Sequence, residues 1–223
     1  MTNALAIRPD QTDWTEEQSA AFKAMGVHAP TAAAATVFLS YCQTTGLDPF
    51  RKQIMLFKDG SPYVQIDGLR LIATRTGEWD GQEGPQWAGP DGQWLDVWTA
   101  TEPPTAARVG IYRKGTTRPV WGVVLWREFG APKATTKSWR EMPSHMLAKV
   151  AESHALRKAF PAEMSGLYTS DEMAQSQRPT PAAPVVSVAH LVPESHDIVD
   201  EATGELIPLE DTVDAEVMEP GDE

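Results

Sequence analysis

The chain has 223 residues, 41% of them hydrophobic and eight of them tryptophan, enough apolar surface for one folded domain with a core and too much for a disordered chain. Its net charge of −12 argues against nucleic acid as a partner until it is divided: residues 176–223 hold 12 acidic side chains against one basic, which leaves −1 for the first 175 residues. No run of about 18 apolar residues occurs and the first ten residues lack the apolar stretch of a secretory signal, while the one cysteine, Cys42, rules out an internal disulfide and a cysteine-built zinc site.

Thr15 followed by Gln18 predicts a capping box, opening a short helix through Phe22 and Met25 that Gly26 ends. Pro30 and Thr31 open a second helix over residues 32–45, with Val37, Phe38, Tyr41 and Cys42 at helical spacing and Gly46 as its stop; Cys42 reads as a core residue. After the Asp48-Pro49 turn, residues 53–57 and 63–66 flank Lys58-Asp59-Gly60-Ser61-Pro62, the pattern of a β-hairpin. Asp67 is placed to cap a third helix over 68–76, stopped by Gly77. Three further strands are expected at 94–100, 108–112 and 120–125. Residues 130–140 read as a basic loop that leads into a long helix from about Pro143 to Phe160, closed by Pro161. From about Gln175 the composition turns to Pro, Val, Ala and acid without a sustained period.

These segments do not alternate in a βαβ rhythm. The expected fold is α+β, a small antiparallel sheet with a hairpin packed by several helices and followed by a disordered acidic tail. The expected organisation is an N-terminal helical, oligomer-forming segment over 1–29, a DNA-binding core over 30–175 and the tail over 176–223. The protein is expected in the cytoplasm of a bacterial host, with no membrane contact.

Charge is sorted within the body as well. Residues 108–160 carry 11 basic and three acidic side chains, whereas residues 76–107 carry six acidic and none basic. Such a concentration of Lys and Arg is the footprint of a phosphate-binding surface, which gains affinity by releasing counterions from nucleic acid; on charge alone a solvated basic face reads equally well. On the long helix His145, Lys149, Ser153 and Arg157 recur at steps of four and form one drifting stripe able to follow a phosphate backbone. Trp139, between Lys137 and Arg140 and near Lys133, has the composition of a single-strand platform, with core packing as the plainer reading. Arg51 and Lys52 follow the turn, where adjacent cations position a backbone without reading sequence.

Catalytic signatures are absent from the sequence: there is no GxxxxGK[ST], no GxGxxG, and His145 and His154 lie on opposite sides of their helix. No bond chemistry and no cofactor are expected, with magnesium entering only as a counterion of DNA. A metal-dependent nuclease built on scattered acidic residues stays open as an alternative, as does an adaptor whose acidic tail engages a basic partner.

The run Gly46-Leu47-Asp48-Pro49-Phe50-Arg51-Lys52-Gln53-Ile54, then Val64-Gln65-Ile66-Asp67-Gly68, resembles the N-terminal signature of the Bet/RecT family of phage single-strand annealing recombinases. Tyr112-Arg113-Lys114, Trp139, Met146-Leu147 and Ala155-Leu156-Arg157-Lys158-Ala159-Phe160-Pro161 are similar to its later signature, in the same order. The resemblance implies an ATP-independent protein of phage-type homologous recombination that binds single strands in a basic groove, pairs complementary strands into an annealed duplex, and assembles into rings or helical filaments. It maps the groove onto Lys52, Tyr112, Arg113, Lys114, Trp139, Lys149 and Arg157, with Lys133, Lys137 and Arg140 nearby; Arg51 and Lys158 are further candidate DNA-binding residues. It also implies a cognate exonuclease and the host single-strand binding protein as partners, which family members engage through a further helical domain; here an acidic, proline-containing tail stands in that place.

Overall fold

The computed structural model describes residues 4–27, 29–176, 198–199 and 206–207. Helix α1 (Glu16–Ala24) opens on the capping box expected of it, Thr15 Oγ1 accepting from Gln18 N at 3.2 Å while Gln18 Oε1 accepts from Thr15 N at 3.0 Å. Helix α2 (Ala32–Thr45) is capped by Thr31 and ends at Gly46, whose φ of 64° is the left-handed conformation a side chain disfavours. Phe38, Leu39 and Cys42 face inward from α2, and burial pushes the Cys42 thiol up to about 12.

A 3-10 turn (Pro49–Arg51) leads into the hairpin of β1 (Ile54–Leu56) and β2 (Pro62–Val64). Pro62 is opposite Leu56 inside the second strand and not in the turn, a placement proline tolerates at the first residue of a strand. Helix α3 (Ile66–Arg75) starts two residues earlier than the expected Asp67 cap allows. Gln65 occupies the N-cap without a side-chain bond, and Asp67 lies in the first turn, where its carboxylate suits the positive end of the helix and pairs with Arg70 at 3.0 Å.

The central sheet differs most from expectation. Strand β3 (Trp79–Ala88) runs ten residues through a segment whose Gly81, Gly84 and Pro85 read as punctuation, and two register shifts against its partner absorb them. Strand β4 covers only Trp94–Leu95 of the expected 94–100; beyond it Trp98 Nε1 donates to Glu102 O at 2.8 Å, closing the chain on itself. Strands β5 (Ala106–Arg113) and β6 (Val120–Leu125) complete an antiparallel sheet of order β4-β3-β5-β6.

The expected basic loop is a chain of short helical turns: α4 (Trp126–Phe129), a 3-10 turn (Ala131–Lys133) and α5 (Lys137–Glu141). Trp126 and Trp139 pack with ring centroids 5.8 Å apart and draw this segment onto the core. The long helix α6 (Pro143–Ala159), with proline in its first turn, crosses β5 and β6. Val109 and Ile111 of β5 and Val124 of β6 meet Leu147, Val150, Ala151 and Ala155 there. The helix comes close because Gly122 has no side chain: a Cβ there would lie 2.2 Å from Ala151 O.

Helix α7 (Ser170–Ser176) closes the first of two units, Met1–Arg178 and Pro179–Glu223. In the second, β7 (Ile198–Val199) pairs antiparallel with β8 (Leu206–Ile207); apart from these four residues and Ser176 the expected tail lies outside the described residues. No helix among the described residues is long and apolar enough to cross a membrane. The architecture is α+β, with helices on antiparallel sheets of two and four strands.

Candidate nucleic-acid interface

Two ion-paired clusters form where the turns after β6, the outer side of α6 and α7 meet. Lys133 Nζ donates to Asp171 Oδ1 at 2.8 Å and to Asp171 O at 3.1 Å, and stands 5.5 Å from the centre of the Trp139 ring. Asp171 is buried. In the second cluster one oxygen of Glu172 accepts from Arg157 Nη2 at 2.8 Å, from Thr169 N at 2.9 Å and from Thr169 Oγ1 at 2.8 Å; its other oxygen is 3.6 Å from His154 Nε2. The Arg157 guanidinium lies 4.6 Å from the Tyr168 ring, while its buried Nε has no hydrogen-bond partner. Lys149 lines a narrow cleft between these clusters, with Gln65, Ser153, Thr169 and Asp171.

His154 sits edge-on to Phe129, ring centroids 5.2 Å apart. Burial holds its pKa below the usual histidine value; Arg157 and Lys158 act in the same direction, against Glu172 and Glu128.

The stripe read from the helix period is therefore interrupted. His145 is exposed, Lys149 half-buried and Arg157 tied to α7, while Ser153 is buried and donates to Val150 O at 2.8 Å. The cause is tertiary: α7 and the end of β2 cover this side of α6, with Val64 N donating to Tyr168 O at 2.8 Å. Trp139 is 3% exposed, so its ring packs the core in the way of the plainer reading and offers no face to a base. Lys137 and Arg140 of α5 are exposed.

The remaining candidates lie elsewhere. Tyr112 donates to Glu83 Oε2 at 2.7 Å, which raises the phenol pKa. Arg113 pairs with Glu78 and donates to Ala159 O at 3.0 Å, beside the Phe160 ring. Lys114 projects into solvent, and Lys158 Nζ donates to Trp121 O at 3.3 Å. Arg51 and Lys52 are exposed at the turn before the hairpin, Lys52 with a φ of 58°.

Three features escaped sequence reading. The acidic pair of α7 was legible as the Thr169-x-x-Glu172 spacing of a helix start. Arg108 is held between Trp94 and Trp121, 4.4 Å from each ring, and donates to Gln86 Oε1 at 2.8 Å; a local signal was its alternation with buried Ala107 and Val109. Arg70 and buried Glu152 form a two-bonded pair at 2.6 and 2.7 Å, for which no local pattern exists because 82 positions separate them. Among the described residues no three His, Cys, Asp or Glu side chains converge to hold a metal ion.

A family model described as the RecT family matches residues 17–184 of the chain. No curated protein matches it.

Proposed function

Because the chain belongs to the RecT family of single-strand annealing recombination proteins, we propose that it pairs complementary strands without ATP, using the cations around α5 and α6 as its phosphate-binding surface. The observation that carries this reading is the family match across the described core. In support, α5 exposes Lys137 and Arg140, while Lys133 and Arg157 pair with neighbouring residues of α7 and Lys149 lines the cleft beside them. Phosphate contacts of this kind hold any strand and leave sequence discrimination to base pairing itself.

Arg51 and Lys52 at the hairpin, and Tyr112, Arg113, Lys114 and Lys158 at the far ends of β5 and α6, extend the path in this proposal. The assembly that carries it is a ring or helical filament of this chain. A cognate exonuclease and the host single-strand binding protein complete the proposed partners, and magnesium acts only as a DNA counterion.

The test mixes two complementary, fluorescently labelled oligonucleotides with the purified protein in the absence of nucleotide, following energy transfer and running the products on a denaturing gel. Accelerated pairing of intact strands is expected, with loss of that acceleration in a combined Lys137, Arg140, Lys149 and Arg157 alanine variant that keeps its melting temperature. Shortened strands would replace annealing with nuclease activity. Wild-type pairing by the combined variant would remove the surface from these residues.

A further inference from the structure

We infer that Tyr168 is the platform on which a base of the bound strand stacks, an inference that rests on the single-strand-binding reading above. A stacking platform needs a ring face open to solvent, a fixed orientation and a cation close enough to take the adjoining phosphate. The tryptophan that the sequence singled out meets none of the first requirement, because Trp139 is 3% exposed. Trp94 and Trp121 enclose Arg108 between their rings and are both partly buried. Among the large hydrophobic side chains that the described residues leave exposed, Tyr168 is the one aromatic, at 48%.

Its orientation is set from several sides. The Tyr168 carbonyl accepts from Val64 N at 2.8 Å, tying the residue to the hairpin. The Arg157 guanidinium lies against the ring at 4.6 Å and is itself held by Glu172, whose carboxylate is fixed by both the backbone and the hydroxyl of Thr169. The ring is thus braced by a cation that cannot swing away without breaking a charge-assisted bond, so little ordering entropy is left to lose on stacking.

Charge favours a strand here. Lys133, Lys149 and Arg157 outnumber Asp171 and Glu172 by one around the cleft, and both carboxylates are already engaged by Lys133 and Arg157. Lys149 lines the same narrow cleft as Thr169, the residue that follows Tyr168, and is the cation assigned here to the phosphate of a base seated on Tyr168.

The test measures anisotropy of two labelled strands of equal length, an oligothymidylate and its abasic counterpart, with the full-length chain and its Tyr168→Leu, Tyr168→Phe and Tyr168→Trp variants. Removing the ring in Tyr168→Leu is expected to weaken binding of the base-bearing strand by about five- to tenfold and to leave the abasic strand unchanged. Tyr168→Phe keeps wild-type affinity, and Tyr168→Trp, with the larger ring, binds the base-bearing strand about two- to threefold tighter. The gain in the tryptophan variant keeps the inference open to test even if the leucine variant folds poorly. Equal losses on both strands, no loss on either, or a phenylalanine variant as weak as leucine would overturn the platform while leaving single-strand binding intact. A wild-type chain that binds neither strand would overturn the reading and the inference together.

Discussion

Helix α6 has two sides built on opposite principles. Toward the sheet it presents Leu147, Ala151 and Ala155, which settle on β5 and β6 with a glycine at the point of closest approach. Toward α7 it presents His154 and Arg157, whose partners are carboxylates and aromatic rings, and Lys149, which lines the cleft beside Asp171. The first contact is apolar and close-packed, so it is intolerant of volume and indifferent to salt and pH. The second is directional and charged, so its strength depends on each partner being present and in the right protonation state. One rigid helix thereby serves as the frame and carries two cations of the proposed strand-binding surface, Lys149 and Arg157.

The largest effect that would sharpen this contrast is expected at Gly122. A methyl group there meets the backbone of Ala151 and Ala155 at 2.2 and 2.4 Å, so Gly122→Ala is expected to cost about 3 kcal/mol or more, as overpacking against backbone does. Urea unfolding reads the loss; a midpoint equal to wild type would show that the sheet side is not the tight one.

On the other side, Glu172→Ala leaves Arg157 and His154 without their acidic neighbour, in a site where the glutamate side chain is 12% exposed. The expected loss is about 2–3 kcal/mol, the cost of stranding a partly buried charge. Replacing both partners, as Arg157→Met with Glu172→Leu, is expected to recover most of it, because an apolar pair carries no desolvation penalty. Additive losses in the double variant would mean that the contact is held by packing and the charges are incidental.

The smallest effect is in pH. Since burial holds the folded-state pKa of His154 below its usual 6.5, the unfolded chain takes up the proton first as pH falls. The stability this neutral imidazole contributes is complete above about pH 6.5 and is lost as pH drops below it, with a slope of at most about 1.4 kcal/mol per unit. His154→Gln is expected to flatten the melting temperature between pH 7 and 5.5 relative to wild type, whereas Gly122→Ala shifts the curve without changing its slope. An unchanged slope in His154→Gln would place the titration elsewhere.

Much of the frame was legible locally. Thr15 with Gln18, Thr31, Gly46 and Pro143 are cap and first-turn signals that act within four residues, and α1, α2 and α6 start or stop on them. Strand β6 carries an apolar run bounded by turn chemistry and lies on its expected residues. Strand β3 was hidden because its glycines and proline break the alternation, and its place is set by pairing with β5 some 30 positions on. Helix α7 was short enough to be lost beside the acidic composition that follows it.

For the strand-binding surface, sequence alone determined where the cations are concentrated and that Lys149 and Arg157 share a side of one helix, because residue spacing on a helix is fixed by its 3.6-residue turn. Tertiary structure decided which of them face water and what each one meets. It buried Trp139 and Ser153, left Tyr168 exposed, and set Asp171 and Glu172 against Lys133 and Arg157. Burial and ion pairing are properties of segments brought together across the fold, and no local period encodes which segment will cover a given face.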